Sequence, residues 1–430
     1  MNAIGIDIGT TSICGVVVDK EGGIVLKSQT IPSNAFLKTG NDWEKIQDVD
    51  KIIATAKNLC DRLLSEYEAE VIGITGQMHG IVYVDKGGRA VSPLYTWQDG
   101  RGNLPYQGKT YAEYLGSCSG YGNVTDFCNR VKGLRPASAV AYCTIGDYFG
   151  MVLCENKEPL IHSSNAAGFG LYDLTGKKFC CEFRGEITDE IRIIGSYRGI
   201  PVAAAIGDNQ ASVFSTLKDE KDLLINVGTG SQISIISETP VSGANIESRP
   251  YVDGKYLVVG AALCGGRAYS MLKEFFQKVY SYAGDLDVDV YEIMERMLAQ
   301  RQETRLSVDT RFAGTRENRE IRGCIWGIGT DNFTPENFCF GFLEGILEEL
   351  YGMYREMGRK RSGIVGSGNG IRKNRAMIEI AEKTFGGRLK VPCHNEEAAV
   401  GAALLGLVAC GECKSVQEAQ EFISYEMNDR

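Results

Sequence analysis

Two apolar runs open the chain, Ala3-Ile-Gly-Ile-Asp7-Ile and residues 13–18, and only Gly9-Thr10-Thr11-Ser12 separates them. Short β-rich runs broken by such a turn predict a hairpin. Residues 48–67 place Val49, Ile52, Ile53, Ala56, Leu59, Leu63 and Leu64 at helical spacing, which predicts an amphipathic helix. The run Val71-Ile-Gly-Ile-Thr75 then reads as a buried parallel strand. Residues 102–135, rich in Gly, Ser, Tyr and Asn, show no period and predict a lid-like insertion, whereas 139–153 predict a buried helix containing Asp147. A short strand at 201–206 leads into a helix opening at Asp208. Farther on, strands are predicted at 255–262 and 388–392, and helices at 269–279, 336–357 and 374–385. After Asn395 comes a helix with a small-residue face, suited to close packing behind a nucleotide pocket or in a plain core. Strands alternating with helices make the predicted class α/β.

The opening pattern returns at Leu223-Leu-Ile-Asn226-Val-Gly228-Thr229-Gly230-Ser231, again followed by an apolar run, 233–236. Gly228 and Thr229 align with Gly9 and Thr10, and Asn226 stands where the first copy has Asp7. At 430 residues the chain is too long for one comfortable core. The repeat divides it into two domains, 1–217 and 218–430.

Composition narrows the partners. A net charge of −9 argues against a nucleic-acid surface, which needs a clustered basic face. Fourteen cysteines lack framework spacing and read as reduced thiols; the one CxxC, Cys410 to Cys413, has no second pair and no nearby His. No basic region precedes the first strand, and the longest apolar run, 398–410, is broken by Gly and too short to span a bilayer. A cytoplasmic protein without membrane attachment is expected.

Candidate chemistry gathers at the predicted strand ends. The turn after Asp7 is either a plain tight hairpin or a phosphate cradle, because Gly9 leaves the backbone N–H groups open to an anion. An acid beside such a cradle needs a cation between, which points to hydrated Mg²⁺ at Asp7. His79, in Gln77-Met78-His79-Gly80, is either a structural histidine or a ligand group. Trp97-Gln-Asp99-Gly-Arg101 is either a turn with an ion pair or a sugar-stacking site. Asp208 either caps its helix or accepts a proton from a substrate hydroxyl. The glycines of Gly366-Ser367-Gly368-Asn369-Gly370 serve a strand-to-helix turn or let backbone approach a flat ligand.

The order of these motifs resembles the FGGY carbohydrate kinases. Asp7-Ile-Gly-Thr-Thr, Gln77-Met-His-Gly80, Trp97-Gln-Asp-Gly-Arg101, Gly207-Asp-Asn-Gln-Ala211, Asn226-Val-Gly-Thr-Gly-Ser231, Gly366-Ser-Gly and Glu397-Ala-Ala-Val-Gly-Ala-Ala403 all carry the likeness. Within the family, Gln77 to Gly80 looks like the ketose kinases for xylulose and sedoheptulose, and Trp97-Gln-Asp-Gly-Arg101 with Gly120-Tyr-Gly122, Asp147-Tyr148 and Asn165-Ala-Ala167 is most similar to those acting on sedoheptulose.

The resemblance implies two duplicated ribonuclease H-like, actin-like ATPase domains flanking a central cleft. It further implies phosphoryl transfer from ATP with Mg²⁺ to a sugar hydroxyl, with Asp208 as the catalytic base. Asp7 and Asp208 would hold Mg²⁺ through water. Thr10, Thr11, Ser12, Gly228 and Thr229 would cradle the β and γ phosphates, and Gly266, Gly366, Ser367, Gly368 and Asn369 the rest of the nucleotide. Gln77, Met78, His79, Trp97, Asp99, Arg101 and Asn209 would face the sugar. A monomer or homodimer is expected, with sugar and ATP as the partners.

Overall fold

The computed structural model describes residues 2–20, 23–284, 288–300, 306–315, 318 and 320–426. The chain divides into two compact units. The first comprises Met1–Lys218, Arg249–Tyr256 and Glu396–Ser424; the second comprises Asp219–Ser248, Leu257–Asn395 and Tyr425–Arg430. Each has its own apolar core.

In the first unit, strand Asn2–Ile8 turns at Gly9 to Thr11 and pairs antiparallel with Ser12–Asp19, which in turn pairs with Val25–Pro32. On its other side Asn2–Ile8 runs parallel to Val71–Gly76. The connection between them is helix Val49–Glu66, capped by Asp48, whose carboxylate accepts from the Lys51 N–H. Beyond Val71–Gly76 lie the parallel strands Ile200–Ala203 and Ile206–Gly207, with Ile193–Tyr197 at the edge.

The second unit repeats the plan. Leu223–Val227 pairs antiparallel with Ser231–Ser237 and parallel with Ile364–Ser367, and Leu389–Lys390 extends the parallel side. Asp7 sits beside Thr75 on the parallel neighbour, and Asn226 beside Ser367 in the same relation. The two hairpins are therefore equivalent in register as well as in sequence.

Helix Glu397–Ala409 belongs to the first unit, where it packs on strands Asn2–Ile8 and Val71–Gly76 and on helix Asp208–Thr216. Its small residues serve this close approach: a Cβ at Gly5 would lie 1.9 Å from the Ala399 carbonyl oxygen, and one at Gly73 1.8 Å from that of Ala402. Of the two roles open to this face, the structure shows core packing against the first sheet.

Three local expectations need correction. Residues 139–153 are not one helix: strand Ala141–Cys143 precedes helix Ile145–Cys154, because Thr144 and Asp147 form a capping box that starts the helix there. Residues 102–135 are not irregular. They carry helices Tyr111–Leu115 and Gly122–Val131, joined through the packed rings of Tyr106, Tyr111, Tyr114 and Phe127. Finally, Gly207 rather than Asp208 is the N-cap of helix Asp208–Thr216, and no side chain caps it. That frees Asp208 from the structural role its position offered.

Candidate active site

Adjacent strand ends in the first unit bring the two acids together. Ile8, Gly76 and Gly207 are aligned across three parallel strands, so Asp7 lies one residue before that line and Asp208 one residue after it. Asp208 is half-buried, and its Oδ1 accepts from the Asn209 N–H at 2.7 Å. Burial raises its carboxyl to about 6, partly opposed by that N–H and by the charge of Arg249. Arg249 also donates from its guanidinium to Asn209 Oδ1 at 3.2 Å.

Asp7 is raised further, to about 7, by burial and then by the charges of Asp208 and Glu396. Its Oδ1 is buried and has no hydrogen-bond partner. A carboxylate oxygen in that state, beside two more acids, fits a hard cation that neutralises the cluster. Among the described residues no group of three or more His, Cys, Asp or Glu side chains is arranged to ligate a metal directly. Mg²⁺ held through water by one or two carboxylates suits this donor set, since that ion keeps several of its waters.

Thr10 connects the turn to the next loops. Its hydroxyl contacts Gln77 Oε1 at 3.4 Å and accepts from Trp97 Nε1 at 3.0 Å, and its carbonyl accepts from Gln47 Nε2 at 2.6 Å. Gln77 in turn donates to Gln47 Oε1 at 3.0 Å. Thr11 is exposed and Ser12 half-buried at the start of the second strand. Trp97 is 47% exposed.

His79 follows buried Met78 and takes a φ of 71°, a strained value for a side chain of its size. Two contacts hold it there. Its Nδ1 lies 2.7 Å from the Gly168 carbonyl oxygen, and its ring stacks on Tyr121 with centroids 4.4 Å apart and planes 2° from parallel. A carbonyl only accepts, so Nδ1 carries a proton and donates it to Gly168.

Asp99 and Arg101 are 1% and 2% exposed. Arg101 donates to both Asp99 oxygens, at 2.6 and 3.2 Å, and to Asn129 Oδ1 at 2.5 Å, while Asp99 also accepts from the Lys45 N–H at 3.0 Å. Their polar atoms are engaged in holding the Trp97 loop.

The second unit contains a cavity of about 640 Å³, in the range of small-molecule sites. Gly228, Thr229, Gly266 and Asn369 line it. Helix Gly265–Tyr282 starts beside the hairpin without a side-chain cap, and a Cβ at Gly266 would sit 2.1 Å from the Gly228 carbonyl oxygen. No side chain caps the first turn, where the Arg267 N–H donates to the Thr229 carbonyl at 2.8 Å, and its positive dipole end favours an anion. Gly366 and Ser367 lie outside the lining: both are buried strand residues, and Ser367 Oγ is 2.6 Å from Asn226 Nδ2. Gly368, at φ 81°, makes the turn that delivers Asn369.

Sequence reasoning missed several neighbours of these sites. Gln47, Tyr121, Gly168, Arg249 and Glu396 surround the first-unit residues; Tyr269, Tyr291, Lys373 and Asn374 line the cavity. Tyr269 and Asn374 did fall within or beside predicted helices, but nothing in their spacing marked them.

A hairpin followed by a crossover to a parallel strand, present twice, with an acid at one copy and an uncapped helix start at the other, is the two-domain plan of the actin-like fold. Comparison with known proteins makes this specific. Residues 2–105 match the N-terminal domain, and residues 223–410 the C-terminal domain, of the FGGY family of carbohydrate kinases. The chain belongs to that family and is a sugar kinase, a phosphotransferase that uses ATP. It is 27% identical to sedoheptulokinase from Mus musculus, over 94% of this chain and 97% of that protein. To a xylulose kinase from Staphylococcus epidermidis it is 23% identical, over 97% of this chain and 90% of that one. The solved structure of ligand-bound xylulose kinase from Lactobacillus acidophilus superposes with a TM-score of 0.85 at 17% identity, covering 99% of this chain and 92% of that one. Among the described residues no helix is long and apolar enough to cross a membrane.

Proposed function

We propose that this kinase transfers the γ-phosphoryl group of MgATP to a hydroxyl of a ketose, with sedoheptulose as the substrate. The observation that carries the chemistry is the pair of acids at neighbouring strand ends, Asp208 raised to about 6 and Asp7 with an orphaned oxygen. Asp208 is largely ionised at neutral pH and basic enough to take the proton of an attacking hydroxyl. Asp7, with Asp208 as a second acid, would hold Mg²⁺ through water, and the chemistry that ion would supply there is charge neutralisation at the transferred phosphate. Thr10, Thr11, Ser12, Gly228 and Thr229 receive the terminal phosphates. Gly266 and Asn369 hold the rest of the nucleotide, while Gly366, Ser367 and Gly368 shape the turn behind them.

On the sugar side, Gln77, Met78, His79, Trp97 and Asn209 face the ketose, and buried Asp99 and Arg101 position Trp97. The choice of sedoheptulose rests on the Trp97 to Arg101, Gly120 to Gly122, Asp147-Tyr148 and Asn165 to Ala167 motifs together with the sedoheptulokinase relative. A cytoplasmic location and a monomeric or homodimeric state complete the proposal.

A panel of sedoheptulose, xylulose, gluconate and glycerol, assayed with ATP and Mg²⁺ by coupled ADP release, tests it. Sedoheptulose should give the highest kcat/KM. A higher value for xylulose would reassign the sugar, and fast ADP release with no sugar present would overturn the kinase reading.

A further inference from the structure

Asp208 is preceded by three residues whose backbone is gripped by buried side chains. Ala205, Ile206 and Gly207 lead into the helix, and only Ile206 and Gly207 belong to a strand, paired on one side with Thr75 and Gly76. A two-residue strand leaves much of its backbone hydrogen bonding to be met elsewhere. Asn165 Nδ2 donates to the Ala205 carbonyl at 3.3 Å, Thr75 Oγ1 to the Ile206 carbonyl at 2.8 Å, and the Gly207 N–H to Ser164 Oγ at 3.1 Å. Thr75 and Ser164 are fully buried and Asn165 is 2% exposed.

A further layer fixes the grips themselves. Asn165 also donates to Asp147 Oδ1 at 3.2 Å, and Asp147 Oδ2 is held by the Thr144 N–H and hydroxyl at 3.0 and 2.7 Å. The Ser164 hydroxyl lies 2.9 Å from His162 Nδ1, which also accepts from the Ser164 N–H at 3.2 Å. Nδ1 is thus the acceptor, so the hydroxyl donates to it and keeps its lone pairs turned to Gly207. All these residues lie within the first unit.

We infer that Thr75, Ser164 and Asn165 are positioning residues for the catalytic base: they clamp three consecutive backbone groups so that Asp208 enters its helix at a fixed place and angle. The inference rests on the reading of Asp208 as base. Misplacing a reacting group by about an ångström can cost on the order of 10²-fold in rate, so the clamp has a catalytic consequence as well as a structural one.

Thr75→Val keeps the side chain's shape and removes its donor, while Thr75→Ser keeps the donor. Thr75→Val should lower kcat roughly 10- to 100-fold while leaving KM for ATP within about twofold, and Thr75→Ser should restore most of the loss. In an Asp208→Ala background Thr75→Val should cost nothing further, because there is no base left to place. If Thr75→Val abolishes the cooperative thermal transition, Ser164→Ala is read in the same way. A normal kcat in Thr75→Val, an equal loss in Thr75→Ser, or an additional loss on top of Asp208→Ala would each overturn the inference. Near-normal turnover in Asp208→Ala alone would instead remove the base, and both readings with it.

Discussion

His79 adopts a backbone conformation that its side chain disfavours, and the stacking of Tyr121 with the bond to Gly168 is what keeps it there. Strain maintained by surrounding contacts clusters at functional sites, in keeping with the sugar-side role proposed for His79. Replacing His79 by Ala should raise KM for the ketose about tenfold or more and leave KM for ATP unchanged; an equal rise in both would identify a folding defect. Asp147 offers a second residue-scale test. Burial raises its carboxyl from an ordinary 3.8 to about 7, against the bonds from Thr144 and Asn165 that favour the charged form. A folded-state value above the unfolded one means that this group's stabilisation is complete below about 3.8 and is lost as pH rises through about 7. Asp147→Asn should therefore lose less stability than the native chain between pH 5 and pH 8. Thermal midpoints measured across that range check it, and parallel declines in the two proteins would exclude Asp147. The sequence marked His79 as a candidate and placed Asp147 in a buried helix, but the backbone strain at the one and the hydrogen-bond partners of the other were not visible there.

At the scale of elements, the hairpins and the helices were largely legible, because turn chemistry and apolar periodicity act over a few residues. The predicted helix over 48–67 is found as Val49–Glu66, and that over 336–357 as Pro335–Met357. Where the reading failed, a local signal was outweighed by a capping box at Thr144 or by ring packing among Tyr106, Tyr111, Tyr114 and Phe127. The small-residue helix Glu397–Ala409 yields a prediction of its own. Gly73→Ala would drive a methyl group into the Ala402 carbonyl, and overpacking of that kind costs about 1–3 kcal/mol. The thermal midpoint of the first unit should fall while ATP binding, which is proposed for the second-unit cavity, persists. An unchanged midpoint would show that the helix shifts freely.

Over the whole molecule, the chain leaves the first unit after Lys218, returns briefly at Arg249–Tyr256 and returns again at Glu396–Ser424. The first unit therefore depends on a helix encoded some 180 residues beyond the Asp208 helix it covers, with Ser215 Oγ donating to the Glu397 carbonyl at 2.7 Å. A fragment ending at residue 218 should lack a cooperative unfolding transition, and fusing residues 396–424 to it should restore one, as followed by circular dichroism. A cooperative transition in the short fragment would refute this dependence.

The sequence by itself determined the two hairpins, their equivalence, the helices that follow them and the acids at 7 and 208, because each is written in residues adjacent in the chain. Only the tertiary structure decided what those residues became. It left Asp7 with an orphaned oxygen while tying Asn226 to Ser367, turned Asp99 and Arg101 inward as a pair, and set Thr75, Ser164 and Asn165 around the approach to Asp208. Those outcomes depend on burial and on partners tens to hundreds of residues away, and desolvation and hydrogen-bond geometry exist only once the strands are side by side.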